Sequence, residues 1–567
     1  MGIKGKGFSI PVAPSFDVFA RKGKIRRTGP VNRRVFFLSI QVVINAIFIG
    51  LVAKVLVYLI DLITNLVFYG RFSLASTSPA GNSLGWLVVL VPVVGGLLVG
   101  LMARYGSKAI QGHGIPEAME RIILAESRIP PAITFLKPLS AALSIGTGGP
   151  FGAEGPIIAT GGAFGSLTGQ WMHISASERK IVLAAGACAG MSAIFGSPLA
   201  AVLLAVELLL FEFSARSIIP VSLGCITGAG MHMLLFGTGP VFAMPPIPVP
   251  GNGALVAYVV LGAIIGVLAS LVSKSVYAIE DLFEKLPIHW MWWPALGALV
   301  VGIVGIFAPH TMGVGYDNIQ YLLKGNWTLT MLVTLSLLKY ISWSISLGSG
   351  TSGGTLAPLF TIGGACGALL GLLCLQWLPG AGINVATAAL VGMAAMFAGA
   401  SRALLTSIVF ALETTGQLHG LLPLLGGCVA AYFVSFFLMK GSIMTEKIQR
   451  RGVKTPDSYE PDVLRLVSVG ELAEPVEQPD PGLPVIEAAE DAGMAAEMMG
   501  KSGTDRLVVR FPAETGKPMQ LVTASALLSY YSRQKEKDQH YNSPGPTRRL
   551  MVQGRKLLHK VIREDSE

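Results

Sequence analysis

The chain has 567 residues, 52% of them hydrophobic and only 13% charged, with 43 Lys+Arg against 33 Asp+Glu, a formal net charge of +10 and a mean hydropathy of +0.61. Soluble domains carry about 25% charged residues, so a disordered chain and an ordinary soluble protein are excluded. Glycine fills 68 positions without a Gly-X-Y period, which excludes collagen and predicts helices packed closely in a membrane.

Residues 1–34 are basic and broken by Pro11, Pro14 and Pro30, with no apolar run of signal-peptide type; insertion is expected to begin with the first apolar helix. Apolar segments at 35–59, 84–102, 256–273, 291–308 and 421–439 are each long enough for a hydrocarbon core about 30 Å thick. Segments 132–146, 156–169, 192–210, 356–376 and 403–412 are short or broken and lie between Gly/Pro clusters, the pattern of discontinuous helices lining a transport path. Lys22, Lys24, Arg26, Arg27, Arg33 and Arg34 precede the first helix, and Lys440, Lys447, Arg450, Arg451 and Lys454 follow the last. The positive-inside rule then places both termini in the cytoplasm. Much of the net charge is topology, and no nucleic-acid partner is expected.

Residues 456–533 turn charged and Pro-bearing and read as a small cytoplasmic α/β unit, followed by a basic tail at 534–567. Cys188, Cys225, Cys366, Cys374 and Cys428 all lie in apolar runs without a CxxC or a histidine at ligand spacing, so neither a disulfide framework nor a metal is expected. GSGTSG at 348–353 matches a dinucleotide fingerprint, but that motif needs a soluble βαβ unit and here it sits among membrane segments. No cofactor is expected. An intramembrane enzyme would need a nucleophile and base or a metal cluster, and the chain has no HExxH and no credible Ser/His pairing.

An internal repeat is the most informative feature. SIGTGGPFGAEGPIIATGGAFGSLTG (144–169) aligns without gaps, 202 residues on, with SLGSGTSGGTLAPLFTIGGACGALLG (346–371). At an offset of 206, Gly186, Ala189, Ala205 and Glu207 match Gly392, Ala395, Ala411 and Glu413. Each repeat reads as a Gly-rich loop feeding a helix, with Pro156 or Pro358 in its first turn and glycine at every fourth position thereafter. Helix N-termini expose unpaired N–H groups and a positive dipole end. Two of them at equivalent places make an anion site within a membrane.

Glu154 lies in one of these loops, where the repeat partner is Leu356. An acid that the architecture does not require is a functional candidate. Glu207 and Glu413 occur in both repeats, which favours a structural job near a helix end. His113, in QGHGIPEAM, stands beside a third helix start.

GHGIP (112–116), GAEGP (152–156) and GTLAP (354–358), with Lys137 and SPLAAVLLAVE (197–207), resemble the three anion-site signatures of the voltage-gated chloride channel (CLC) family over about residues 35–455. The resemblance implies a prokaryotic-type member with an all-α polytopic fold of about 18 helices in two inverted repeats (about 35–240 and 251–455). It further implies a homodimer in the cell (inner) membrane with one chloride pathway per protomer, its dimer face from about 192–235 and 402–440. Glu154 would be the gate. His113, Gly114, Ile115, Gly155, Leu356, Ala357 and Met444 would bind the anion, largely through backbone N–H groups. The chain departs from the family at His113, where serine is usual, at Leu356, where phenylalanine is usual, and at Met444, in place of a tyrosine. Leu208 stands where the family's exchangers carry an internal proton-accepting glutamate. On that point a proton-uncoupled channel is favoured, with a chloride/proton antiporter as the alternative. The 456–533 unit resembles a single degenerate CBS module.

Overall fold

The computed structural model describes residues 33–124, 127–325, 327–450, 464, 467–476, 482–511 and 520–541. Of the basic terminal segments expected from the sequence, residues 1–32 and 542–567 lie outside this set. The chain divides into two units, Gly29–Asp457 and one that contains Ser458–Glu567.

The first unit is built of α1 (Arg33–Tyr69), α2 (Leu90–Tyr105), α3 (Ile115–Leu124), α4 (Ala132–Gly146), α5 (Glu154–Trp171), α6 (Ala176–Phe195), α7 (Pro198–Leu204), α8 (Ala215–Leu235) and α9 (Asn252–Glu284). It continues with α10 (Trp293–Phe307), α11 (Tyr316–Lys324), α12 (Leu329–Val333), α13 (Lys339–Gly348), α14 (Leu356–Trp377), α15 (Val385–Ser401), α16 (Leu404–Thr415), α17 (Leu421–Leu438) and α18 (Glu446–Arg450). Among the described residues, 8 helical stretches are long and apolar enough to cross a membrane.

Helix α1 runs ten residues beyond the apolar segment that ends at 59, passing through Asp61 to Tyr69. Two polar side chains of its second half find partners on neighbouring backbone. Lys54 Nζ donates to Leu235 O (2.8 Å) and Asn65 Nδ2 donates to Asp61 O and Ala75 O (3.0 and 2.7 Å). A membrane helix can therefore continue past them without an unpaired buried group.

The repeat is visible as a repeated helix crossing. A Cβ on Gly161 of α5 would strike Gly186 O of α6, and the reverse holds; Gly363 of α14 and Gly392 of α15 stand in the same relation. Gly161 and Gly165, with Gly363 and Gly367, thus serve backbone-to-backbone approach in both halves.

In the second unit, β1 (Glu474–Pro475), β2 (Val485–Glu487), β3 (Arg506–Arg510) and β4 (Gln520–Thr523) form one sheet in the order β1-β4-β3-β2, with β2 parallel to β3 and the other pairs antiparallel. Helices α19 (Val469–Leu472), α20 (Ala492–Ser502) and α21 (Ala524–Tyr541) accompany it. Val469, Ile486, Ala492, Leu507, Val509 and Val522 form its core. It is the small α/β unit expected from the sequence.

Candidate functional site

Three Gly-rich loops meet within the helical unit. Gly112 N–H donates to Thr351 O (2.9 Å), Gly353 N–H donates to Gly112 O (3.4 Å), and Gly152 and Gly354 exchange N–H···O bonds (3.3 and 3.0 Å). Irregular backbone at membrane depth has to find its partners within the protein, and these bonds supply them. The approach requires glycine. A Cβ on Gly155 would strike His113 O and Gly354 Cα, and one on Gly114, at φ +98°, would strike Gly155 O. The pinned loops bring the N-termini of α3, α5 and α14 together, with first-turn N–H groups that have no intrahelical partner and positive dipole ends.

Glu154, the first residue of α5, is 0% exposed. Its Oε1 accepts the N–H of Ala357 (2.7 Å) and its Oε2 accepts the hydroxyl of Tyr316 (3.0 Å). The carboxylate thus lies on the N-terminus of α14, using a donor suited to a bound anion. Tyr316 opens α11 behind Gly315, which is at φ +78°, and packs edge-on against Phe195 and Phe242 (ring centroids 5.7 and 5.9 Å). Phe195 meets Phe410 at 4.9 Å, and Phe410 stacks on Phe360 at 5.0 Å. These rings make a dry wall on the tyrosine side of the carboxylate.

Two buried lysines hold the loops in front of helix starts. Lys137 Nζ donates to Ile110 O and Gly112 O, both at 2.8 Å, ahead of α3. Lys339 Nζ donates to Thr311 O and Gly313 O (2.8 and 3.2 Å), ahead of α11 and Tyr316.

His113 is buried, and its Nδ1 has no hydrogen-bond partner among the described residues. Gly114 N–H is engaged by Glu117 Oε2 (2.7 Å), the reach-back of an acid in the third helical position. Ile115, Leu356 and Ala357 are buried in the same core. Of the residues singled out from the sequence, His113, Gly114, Glu154, Gly155 and Ala357 are joined by these contacts. Met444 shares the core, and its N–H donates to Ser442 Oγ (3.2 Å). Next to it, Ile443 N–H donates to Ala400 O (2.9 Å) and Ile443 O accepts the Tyr277 hydroxyl (2.7 Å). Tyr316, Lys339 and Glu117 were not among the residues singled out; only Lys339 carries a signal, since it lies 202 residues after Lys137 and so falls within the repeat.

Known proteins share this architecture. The model of the family described as voltage gated chloride channel matches residues 95–436. The H(+)/Cl(-) exchange transporter ClcA of Yersinia pestis is 31% identical over 351 residues, covering 60% of this chain and 72% of the relative. A putative chloride channel protein, ClcB-like, of Ralstonia nicotianae is 28% identical over 369 residues, covering 64% and 86%. Among solved structures, a slow cyanobacterial Cl-/H+ antiporter superposes with a TM-score of 0.65 at 25% identity, covering 72% of this chain and 97% of that one. The fold is also matched by a CLC-type fluoride/proton antiporter at 20% identity and a TM-score of 0.60, covering 73% and 98%. The chain belongs to the voltage gated chloride channel (CLC) family and is a multi-pass membrane protein of that family's anion-transport fold.

Proposed function

We propose that the protein exchanges chloride for protons, with Glu154 as the gate that both species use. One observation carries this reading: the buried Glu154 carboxylate accepts the Ala357 N–H at the start of α14. An anion and a carboxylate compete for the same donor, and protonating the carboxyl removes its claim on the site. Gate opening is thereby tied to proton uptake. Relatives named as exchange transporters support the reading. His113, Gly114, Ile115, Gly155, Leu356 and Ala357 line the anion's route in this account, with Met444 closing it from the inner side. We take both termini as cytoplasmic, the membrane as the cell (inner) membrane, and the assembly as a homodimer with one pathway per protomer.

The second reading is a proton-uncoupled channel, and the observation that favours it is Leu208, an apolar residue 3% exposed beside Glu207. The two readings separate in vesicles. The purified protein is placed in liposomes under an outward chloride gradient, and proton and chloride movements are recorded together. Exchange drives protons against their own gradient in fixed ratio to chloride; a channel moves chloride alone.

A further inference from the structure

Helices α9 and α17 run side by side in the same direction. A Cβ on Gly262 of α9 would strike the backbone of Gly427 in α17, and one on Gly266 would strike that of Ala431. The apolar stretch of α9 gives way to charge at Lys274, and α17 ends at Leu438, so both spans stop at one level. A cavity of about 480 Å³ lies there, lined by one face of α9 from Ser273 to Asp281, by residues 438–442, and by Glu446 and Arg450 of α18. Sites for small organic ligands have volumes of this order, about 300–1,000 Å³.

Five charged side chains line this cavity: Lys274, Asp281, Lys440, Glu446 and Arg450. Arg450 pairs with both acids, Asp281 and Glu446, and its guanidinium lies over the Tyr277 ring, 5.1 Å from the centroid. On the same helices Lys447 and Glu280 pair with each other at 3.7 Å. Lys274 and Lys440 are left exposed, with no carboxylate partner among the described residues. Gly441 is buried, and its N–H has no hydrogen-bond partner among the described residues. A buried donor without an acceptor is costly. Two uncommitted ammonium groups and an unpaired N–H around one cavity suit an anion with several oxygens.

We propose that this cavity binds the phosphate headgroup of an anionic phospholipid, one per protomer. Its depth favours a lipid over a dissolved phosphate. Leu271, Phe433 and Phe437, 59%, 63% and 72% exposed, lie on the two spans just before the cavity and give acyl chains an apolar surface, and Leu438 continues that surface into the cavity wall. The pairing of charges favours an anionic headgroup over a zwitterionic one. The acids that a choline or ethanolamine cation would seek are already held by Arg450, whereas the two lysines remain for the phosphate. Basic pockets between membrane helices recognise anionic headgroups in this way, at about fivefold in affinity for each lysine. The site also touches the segment that carries Met444. Tyr277 donates its hydroxyl to Ile443 O (2.7 Å), and Ser442 Oγ accepts the Met444 N–H (3.2 Å), so two residues of the cavity wall hold that segment. The assignment is independent of whether transport is exchange or channel-like.

The test is native mass spectrometry of the full chain, purified in a neutral detergent and titrated with phosphatidylglycerol or phosphatidylcholine. One phosphatidylglycerol per protomer is expected to bind about tenfold more tightly than phosphatidylcholine. In the double variant Lys274→Gln/Lys440→Gln the preference should shrink to about twofold or less, and Lys274→Arg/Lys440→Arg, which keeps both charges, should retain it. Lys285→Gln, at an exposed lysine that ends α9 outside the cavity, should leave it unchanged. Equal binding of the two lipids by the wild-type protein would overturn the proposal, as would a preference that survives in the double Gln variant. A loss in Lys285→Gln as large as in the double Gln variant would also overturn it, since surface charge in general would then be at work. Displacement of the lipid by millimolar inorganic phosphate would assign the cavity to a dissolved phosphate and overturn the lipid reading.

Discussion

Glu207 and Glu413 cap each other's helices. The carboxylate of Glu207 accepts the N–H groups of Leu405 and Thr406 (both 2.9 Å) at the start of α16, and that of Glu413 accepts those of Leu199 and Ala200 (3.0 and 2.8 Å) at the start of α7. Two acids at matching points of the repeat thus tie its halves together reciprocally. This is the structural job that their presence in both repeats predicts. Replacing either by Ala should cost about 1–2 kcal/mol, the worth of an N-terminal cap, and by similar amounts at the two sites. Thermal unfolding of the detergent-solubilised variants checks this; a loss at one site and none at the other contradicts the reciprocal role.

Tyr316→Phe should make the gate easier to open. The hydroxyl donates to the Glu154 carboxylate, a bond that favours the charged form over the neutral one. Without it, acid-stimulated chloride flux should set in about one pH unit closer to neutrality, the equivalent of a charged hydrogen bond of ~1.5 kcal/mol. A flux–pH curve that coincides with wild type contradicts this.

Lys339→Met should act through Tyr316. Its ammonium holds Thr311 O and Gly313 O in the loop that leads into α11, and leaving two buried carbonyls unpaired costs about 2–4 kcal/mol. A lower unfolding temperature is expected together with a flux–pH curve displaced as in Tyr316→Phe. Lys137→Met should lower stability without that displacement, because its loop precedes α3 instead.

The helical membrane class, the repeat and the convergence of GHGIP, GAEGP and GTLAP were legible because glycine and proline have positional meaning: only glycine allows the contacts of Gly114 and Gly155. Tyr316 was not legible. It lies 162 residues from Glu154, has no periodic or repeat signature, and reaches the site only because α11 packs beside α14 and α15. The far end of α1 was missed for a different reason. Asp61 looks like a helix terminator in a hydropathy reading, whereas backbone carbonyls recruited by Asn65 and Lys54 let the helix run on.

His113→Ser should alter anion preference. The His113 carbonyl lies against Gly155, and the buried imidazole has Nδ1 unpartnered among the described residues; a serine would exchange a ring donor for a hydroxyl. A change of about fivefold in the chloride/nitrate permeability ratio is expected, the value of ~1 kcal/mol for one hydrogen bond. Flux assays with each anion in turn check it, and an unchanged ratio returns His113 to a packing role.

The central claim is that one carboxylate serves both ions, and the most direct test is simultaneous recording of chloride and proton movement in liposomes bearing wild-type protein or Glu154→Gln. Glutamine mimics the protonated acid, so chloride flux should persist at neutral pH and lose its dependence on acid, while proton movement should vanish. Leu356→Glu, which places a carboxylate at the repeat-matched position, should obstruct chloride flux. Proton-coupled, acid-dependent chloride movement in Glu154→Gln at the wild-type level would contradict the account.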